Sequence, residues 1–375
     1  MKRIVFAAIV LLTFACSPKK QDGFVINGTI KDLKQKEAYL VTYKDGMAVK
    51  LDSSSVDTLK GTFILKGKVE TPDLMYITFS DDSEIELFIE NSTITVTGDS
   101  VQNARITGSV SNDLYTSYKE KRDSVEQSFK SQEAEYDSVL VKYKAARKAG
   151  KDAEAKSYYE QMAKIEEAPE AAMREFNLNF IKNHPSSYVA PAVLWNELAW
   201  GMDAPEMEPL VNAFDTTIGN SSYITRLKDR IEILKKVAVG SQAPDFTMND
   251  SLGNPHTLSS YYGKVLLVDF WASWCGPCRR ENPNIVAVYK QFHKKGFDIL
   301  GVSFDKNKAS WTKAILDDKL TWNHVSDLQG WGNAAGKLYG IRSIPSNMLL
   351  DEKGTIIAKN LMGDDLTNKL KELLK

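Results

Sequence analysis

The sequence reads as a multidomain chain: an N-terminal all-β module over residues 22–110, a central α-helical region over 111–236 and a C-terminal α/β domain over 237–375. Three observations carry that reading. Short bursts of β-branched and aromatic residues alternate with turn signals as far as about Gly108; apolar residues then recur at spacings of three, four or seven; and from Val239 onward strand-like and helix-like stretches alternate. A length of 375 residues admits two or three domains, and 43% hydrophobic with 26% charged content is ordinary for a soluble globular protein.

The chain opens Met1-Lys2-Arg3, runs apolar from Ile4 to Ala15 and meets Cys16. A basic start, twelve apolar residues and a small residue before a cysteine describe a signal peptide over residues 1–15, too short to span a bilayer. Export is the expectation. The segment Leu12-Thr13-Phe14-Ala15-Cys16 resembles a bacterial lipoprotein cleavage site, although Thr13 stands where such sites usually carry Leu. On that resemblance Cys16 is the lipidated first residue of the mature protein, and ordinary cleavage leaving a spare cysteine is the alternative. The formal charge is -1, and without residues 1–15, which hold Lys2 and Arg3 and no acid, it is -3. A nucleic-acid partner, which needs a clustered basic face, is not indicated.

Six runs in the first module read as strands: Phe24 to Ile30, Glu37 to Tyr43, Thr62 to Val69, Met75 to Phe79, Ile85 to Ile89 and Thr93 to Thr97, with Lys44-Asp45-Gly46 as a turn. They predict a small sandwich or barrel with no cluster that looks catalytic. From Asn112 the period becomes helical, with Tyr115, Tyr118, Val125, Phe129, Tyr136, Leu140 and Tyr143 on one stripe. A break at Lys148-Ala149-Gly150-Lys151 and a second stretch to Asn183 predict an antiparallel helical hairpin, ended by His184-Pro185. Shorter helices are expected over Ala190 to Trp200, Glu206 to Ala213 and Tyr223 to Lys236. The aromatic stripe is best explained as core.

In the last domain, Val265 to Phe270 reads as a strand running into a helix from Cys275 to about Lys295, and Phe297 to Phe304 as the next strand. Helices near Lys308 to Asp318 and Asn333 to Tyr339, a hairpin about Glu352-Lys353-Gly354 and a closing helix complete the pattern. Cys275 and Cys278 are the only cysteines besides Cys16, so the fold is not stapled by disulfides and the pair is kept for chemistry. Two cysteines two residues apart at a helix start can close a small disulfide, and the helix N-terminus favours the thiolate of the first. Cys275 is thus the candidate nucleophile and Cys278, one turn later and more buried, the resolving thiol. Half a zinc site would need two further ligands, and His184, His256, His293 and His324 are scattered without ligand spacing. A purely structural bridge would close too short a loop to restrain the unfolded chain much.

The segment Val268-Asp269-Phe270-Trp271-Ala272-Ser273-Trp274-Cys275-Gly276-Pro277-Cys278-Arg279 resembles the active site of thioredoxins, and Gly340-Ile341-Arg342-Ser343-Ile344-Pro345 resembles their cis-proline loop. Ala243-Pro244-Asp245-Phe246 and the stretch from Gly301 to Trp331 resemble the membrane-tethered periplasmic reductases of that superfamily, the type used in cytochrome c maturation. The preceding β-module is similar to one that often precedes a thioredoxin module in Gram-negative lipoproteins. This resemblance implies a thioredoxin-like fold for residues 237–375. It also implies that Pro345, cis after Ile344, sets a backbone edge beside Cys275 for a substrate chain, and that Trp274 and the Gly276-Pro277 pair form the contact surface. Asp269, six residues before Cys275, matches the buried acid that takes the proton of Cys278, and Glu281 matches a glutamate of the cytochrome-maturation reductases. Having both acids departs from that subfamily. Asp269 is favoured as the proton carrier, because burial shifts a carboxyl most.

The expected function is that of a thiol-disulfide oxidoreductase of the cell envelope, lipid-anchored, reducing disulfides of envelope proteins and recharged by a membrane thiol electron donor. No metal or other cofactor is implied. A disulfide isomerase or oxidase is the nearest alternative. A thiol peroxidase would need a Pro-x-x-x-Thr-x-x-Cys pattern, where this chain has Val268 and Ala272. A non-enzymatic envelope binding protein, acting through its upstream domains, is the remaining alternative.

Overall fold

The computed structural model describes residues 21–44, 47–81 and 83–374. The signal peptide and lipidation site read at residues 1–15 and Cys16, and the Asp45-Gly46 turn, lie outside them. The chain forms two compact units, one as far as Ser117 and one from Tyr118 onward.

The first unit contains β1 (Phe24–Ile30), β2 (Glu37–Lys44), β3 (Met47–Ser55), β4 (Thr62–Gly67), β5 (Asp73–Phe79), β6 (Glu84–Ile89), β7 (Thr93–Gly98) and β8 (Arg105–Thr107). They make two four-stranded sheets, in the orders β4-β1-β7-β8 and β3-β2-β5-β6. Alternating inward residues of both, among them Ile26, Leu65 and Val96 from one and Leu40, Ile77 and Leu87 from the other, share one apolar core, so the module is a sandwich. Strands β3 and β8 are additions to the six read from sequence. Each pairs on one side only, and β3 ends in Ser53-Ser54-Ser55 with Leu51 exposed, so neither shows the apolar alternation of a strand facing a core.

Helices α1 (Val110–Ser128), α2 (Lys130–Lys148) and α3 (Asp152–Asn183) follow. The first arm of the expected hairpin is broken rather than continuous. At Phe129 the backbone leaves helical geometry (φ -107°, ψ 13°) and its N–H bonds to the Glu126 carbonyl, three residues back, at 3.0 Å. Gly150, at φ +68°, turns the chain so that Val139, Tyr143 and Ala146 of α2 meet Ala155 and Met162 of α3. Further along, the Tyr118 hydroxyl donates to Asn177 Oδ1 at 2.7 Å. Then come α4 (Val189–Val193), running into a π-helical turn at Leu194–Leu198, α5 (Ala204–Asn212) and α6 (Ser222–Lys236).

The α/β part of the same unit holds β9 (Thr247–Asn249), β10 (Pro255–Thr257), β11 (Val265–Trp271), α7 (Gly276–Phe292), β12 (Phe297–Ser303), α8 (Lys308–Asp317), β13 (Asn323–Val325), α9 (Ala334–Leu338), β14 (Ser346–Leu350), β15 (Ile356–Lys359) and α10 (Gly363–Leu373). Strands β9, β10 and β13 were not read from sequence, since three residues are too few to display a period. The five-stranded sheet runs β13-β12-β11-β14-β15, with β11, β12 and β13 parallel and β14 antiparallel to β11. All seven residues of β11 are buried, as expected of a central strand covered on both faces. Because β14 runs against β11, Ser346 pairs with Phe270, which brings the loop ending at Pro345 to the carboxyl end of β11. Sheets of this kind place their functional groups at that end.

Candidate active site

Strand β11 delivers the chain into Ala272-Ser273-Trp274, and Cys275 caps the helix that follows. Pro277 sits in the first turn of α7, where its missing N–H costs nothing, and Cys275 Sγ accepts the backbone N–H of Cys278 at 3.1 Å. Cys275 and Cys278 form a disulfide, with S–S 2.04 Å and Cα–Cα 5.3 Å. Both are almost covered in this oxidised state, at 4% and 2% exposure. The peptide bond between Ile344 and Pro345 is cis. Pro277, Glu281 and Pro345 line one cavity, so residues far apart in sequence meet beside the disulfide. Trp274 is 54% exposed, with its ring centroid 6.0 Å from that of Trp331, a second exposed indole that the sequence reading did not single out.

The two acids have different surroundings. Asp269 is buried in β11, and its cross-strand neighbour Asn347 has its amide engaged with the backbone of Leu361, at 2.8 and 3.0 Å. Burial first, and then the charge of Glu281, push the Asp269 carboxyl up to about 7. Glu281 is half-buried on α7, and its Oε1 accepts from the Gly363 N–H and from Asn284 Nδ2, both at 2.8 Å. It thereby sits at the N-terminus of α10, where a carboxylate is favoured.

Several supporting residues escaped the sequence reading. The buried Asp305, just past β12, accepts the backbone N–H of Ser273 at 2.9 Å, the Ser273 hydroxyl, and the Ser303 hydroxyl at 2.7 Å. Arg279 Nη1 donates to the Ser273 carbonyl at 3.0 Å while Nη2 donates to Asp318 at 2.8 Å, and Asn282 Nδ2 donates to the same carboxylate at 2.6 Å. Together they hold the segment before Cys275 from both of its peptide faces. The available signals were weak: Arg279 directly follows the second cysteine, and Asp305 lies at the carboxyl end of the next parallel strand. Among the described residues no cluster of three or more His, Cys, Asp or Glu side chains is placed to hold a metal.

A disulfide at a strand-to-helix junction, facing a cis-proline loop on a central mixed sheet, defines a thioredoxin-fold thiol-disulfide oxidoreductase. Comparison with known proteins agrees. The AhpC/TSA family model matches residues 239–359, and a domain of unknown function, DUF4369, matches residues 24–115. The thiol-disulfide oxidoreductase ResA of Geobacillus thermodenitrificans is 34% identical over 140 residues, which span 36% of this chain and 79% of the relative. The thioredoxin-like protein YneN of Bacillus subtilis is 36% identical over 120 residues, 31% of this chain and 68% of the relative. The thioredoxin domain of a thiol-disulfide oxidoreductase from Bacteroides vulgatus is 40% identical, with a TM-score of 0.35, covering 37% of this chain and 99% of that one. The chain belongs to the ResA-like family of thiol-disulfide oxidoreductases.

Proposed function

We propose that this oxidoreductase reduces disulfides of exported proteins, with Cys275 as nucleophile, Cys278 as resolving thiol and Asp269 as the group that holds the exchanged proton. The observation that carries the reading is the hydrogen bond from the Cys278 N–H to Cys275 Sγ at the start of α7, since a backbone donor at that place favours the thiolate of Cys275 over that of Cys278. The Cys275 thiolate attacks a substrate disulfide, forming a mixed disulfide and releasing one substrate thiolate. Asp269 takes the proton of Cys278, whose thiolate attacks Cys275 Sγ, releases the second substrate thiolate and closes the Cys275–Cys278 disulfide. Two electrons have then passed to substrate, and a dithiol donor must return them. Glu281, fixed by Gly363 and Asn284, tunes Asp269 through its charge rather than carrying the proton itself.

The apolar run from Ile4 to Ala15 ahead of Cys16 supports export to the cell envelope and a lipid anchor. In that oxidising compartment the donor would be a membrane protein passing thiol equivalents outward, and cytochrome c maturation is one process that uses such a reductant. Direction rests on potential: Gly276 and Pro277 supply no cation to the thiolate, which favours a reductant. Arg280 favours the second reading, an oxidase or isomerase, because its Nη1 lies 3.4 Å from where a side chain on Gly276 would begin and a cation there stabilises the reduced form.

The test is the equilibrium potential of the Cys275–Cys278 pair in the purified protein, titrated against glutathione and dithiothreitol buffers. A value near the roughly -270 mV of thioredoxin supports the reductase, whereas one near the about -120 mV of a strong oxidant moves the assignment to disulfide formation. Peroxide consumption by the reduced protein would instead select the peroxidase.

A further inference from the structure

We propose that the α2–α3 hairpin is the second wall of the substrate site, and that the substrate chain next to its half-cystine runs between the hairpin and α7 with a carboxylate on Arg280. This rests on the reading of a protein disulfide as substrate. Between the two walls lies a cavity of about 520 Å³, bounded by Tyr143 and Tyr159 of the hairpin, Pro277 and Arg280 of α7, and the cis Pro345. That size is in the range of sites that enclose a ligand of several tens of atoms, and its end at Pro277 and Pro345 is where a mixed disulfide on Cys275 would hold the substrate.

The chemistry of the walls selects the occupant. The Arg280 guanidinium lies 5.6 Å from the ring centroids of both Tyr143 and Tyr159, and its Nε is buried with no hydrogen-bond partner. Among the described residues it makes no ion pair. Glu281 is engaged with Gly363 and Asn284, Asp364 lies 3.9 Å from Lys156, Glu166 is bonded by the Tyr136 hydroxyl, and Glu160, which also lines the cavity, forms no ion pair with Arg280. Arg280 is half-buried, but its buried Nε–H without an acceptor is costly, and a carboxylate entering between two aromatic faces would satisfy it. An extended peptide brings both that carboxylate and apolar contacts for the tyrosines and prolines. The thioredoxin-like module alone supplies only one side of this space; the central helical region supplies the other.

The experiment uses the reduced full-length protein and two short disulfide peptides that differ only in Glu or Lys beside the half-cystine, with the small uncharged bis(2-hydroxyethyl) disulfide as reference. The wild type is expected to react with the Glu peptide about tenfold better in kcat/KM than with the Lys peptide, the size of one close charge pair. Arg280→Glu should reverse the preference and Arg280→Lys should keep it, and Tyr159→Ser, at a partly exposed position, should raise KM for both peptides while leaving kcat in place. Bis(2-hydroxyethyl) disulfide, too small to reach the hairpin and without charge, reports any change that the Arg280 variants cause in the Cys275 thiolate itself, so each peptide rate is read as a ratio to it. Equal reaction of the wild type with both peptides, or an Arg280→Glu variant slowed alike on both peptides and on the small disulfide, would overturn the proposal. A wild type that reduces the small disulfide and neither peptide would instead sink the protein-substrate reading on which it rests.

Discussion

Arg230 Nη1 donates to the carbonyl oxygen of Gly340 at 3.0 Å, so a buried guanidinium on α6 holds the first residue of the loop that ends at the cis Pro345. The same side chain donates from Nε to the Ala199 carbonyl at 2.8 Å, with its guanidinium over the ring of Trp200 at 4.9 Å. Gly340 itself takes φ +66°, and a side chain there would begin 3.0 Å from Ile233 Cγ2, so this close approach of α6 to the loop requires glycine. The helical region thus builds the site that the α/β module presents.

Replacing Arg230 with Ala leaves the buried Ala199 carbonyl and the half-buried Gly340 carbonyl without this donor and frees the loop. A loss of about 2–4 kcal/mol in denaturant unfolding is expected, together with slower reduction of peptide disulfides. An unchanged unfolding midpoint would refute this account of the contact.

The pH dependence of stability should carry the mark of Asp269. Its folded value of about 7 lies above the unfolded value of about 3.9, so between these the native state holds a proton that the unfolded state has lost. The contribution is fully present below about 4 and is lost as pH rises through about 7. Asp269→Asn removes the penalty of a buried charge and should be more stable than the wild type at pH 8, by on the order of a few kcal/mol, with the difference vanishing in acid. In stopped-flow reduction the same variant should slow the resolving step and remove its dependence on pH near neutrality. Thermal melts across this range check the first part.

Glu281→Gln keeps an acceptor for the Gly363 N–H and so should alter stability by less than about 1 kcal/mol. It removes the charge that helps hold the Asp269 carboxyl up, and the midpoint of the resolving step should move to lower pH. A midpoint that stays in place would show that burial alone sets Asp269.

Asp305→Ala deprives the Ser273 N–H and two hydroxyls of their acceptor. About 2–3 kcal/mol of stability should be lost, and Asp305→Asn, which retains a carbonyl oxygen, should recover part of it. The order of attack has its own check. Cys278→Ser should trap a covalent complex with a disulfide substrate through Cys275, seen by mass under non-reducing conditions, and Cys275→Ser should trap none.

The strand running into Trp274-Cys275-Gly276-Pro277-Cys278 and the Ile344-Pro345 step were legible because each is written in adjacent residues whose local preferences agree. The hairpin turn at Gly150 was legible for the same reason. The break at Phe129 was not, since the apolar period continues through it: Tyr136, Leu140 and Tyr143 fall on the stripe begun by Tyr115 and Tyr118. Strand β3 was hidden because an edge strand none of whose described side chains is fully buried shows no apolar alternation to read.

The sequence by itself determined the order of modules, the family of the last one and the chemistry of its dithiol, because periodicity and short motifs are local properties of the chain. Tertiary structure alone decided what surrounds that dithiol. Asp305 reaches Ser273 across 32 residues, Glu281 reaches Gly363 across 82, and Arg230 reaches Gly340 across 110. Such contacts are single polar pairs between elements already formed, and a lone Arg, Asp or Glu carries no period that would announce its partner. The second wall against Arg280 arises in the same way, from folding α2 and α3 against α7, where burial and the loss of water give ordinary residues their roles.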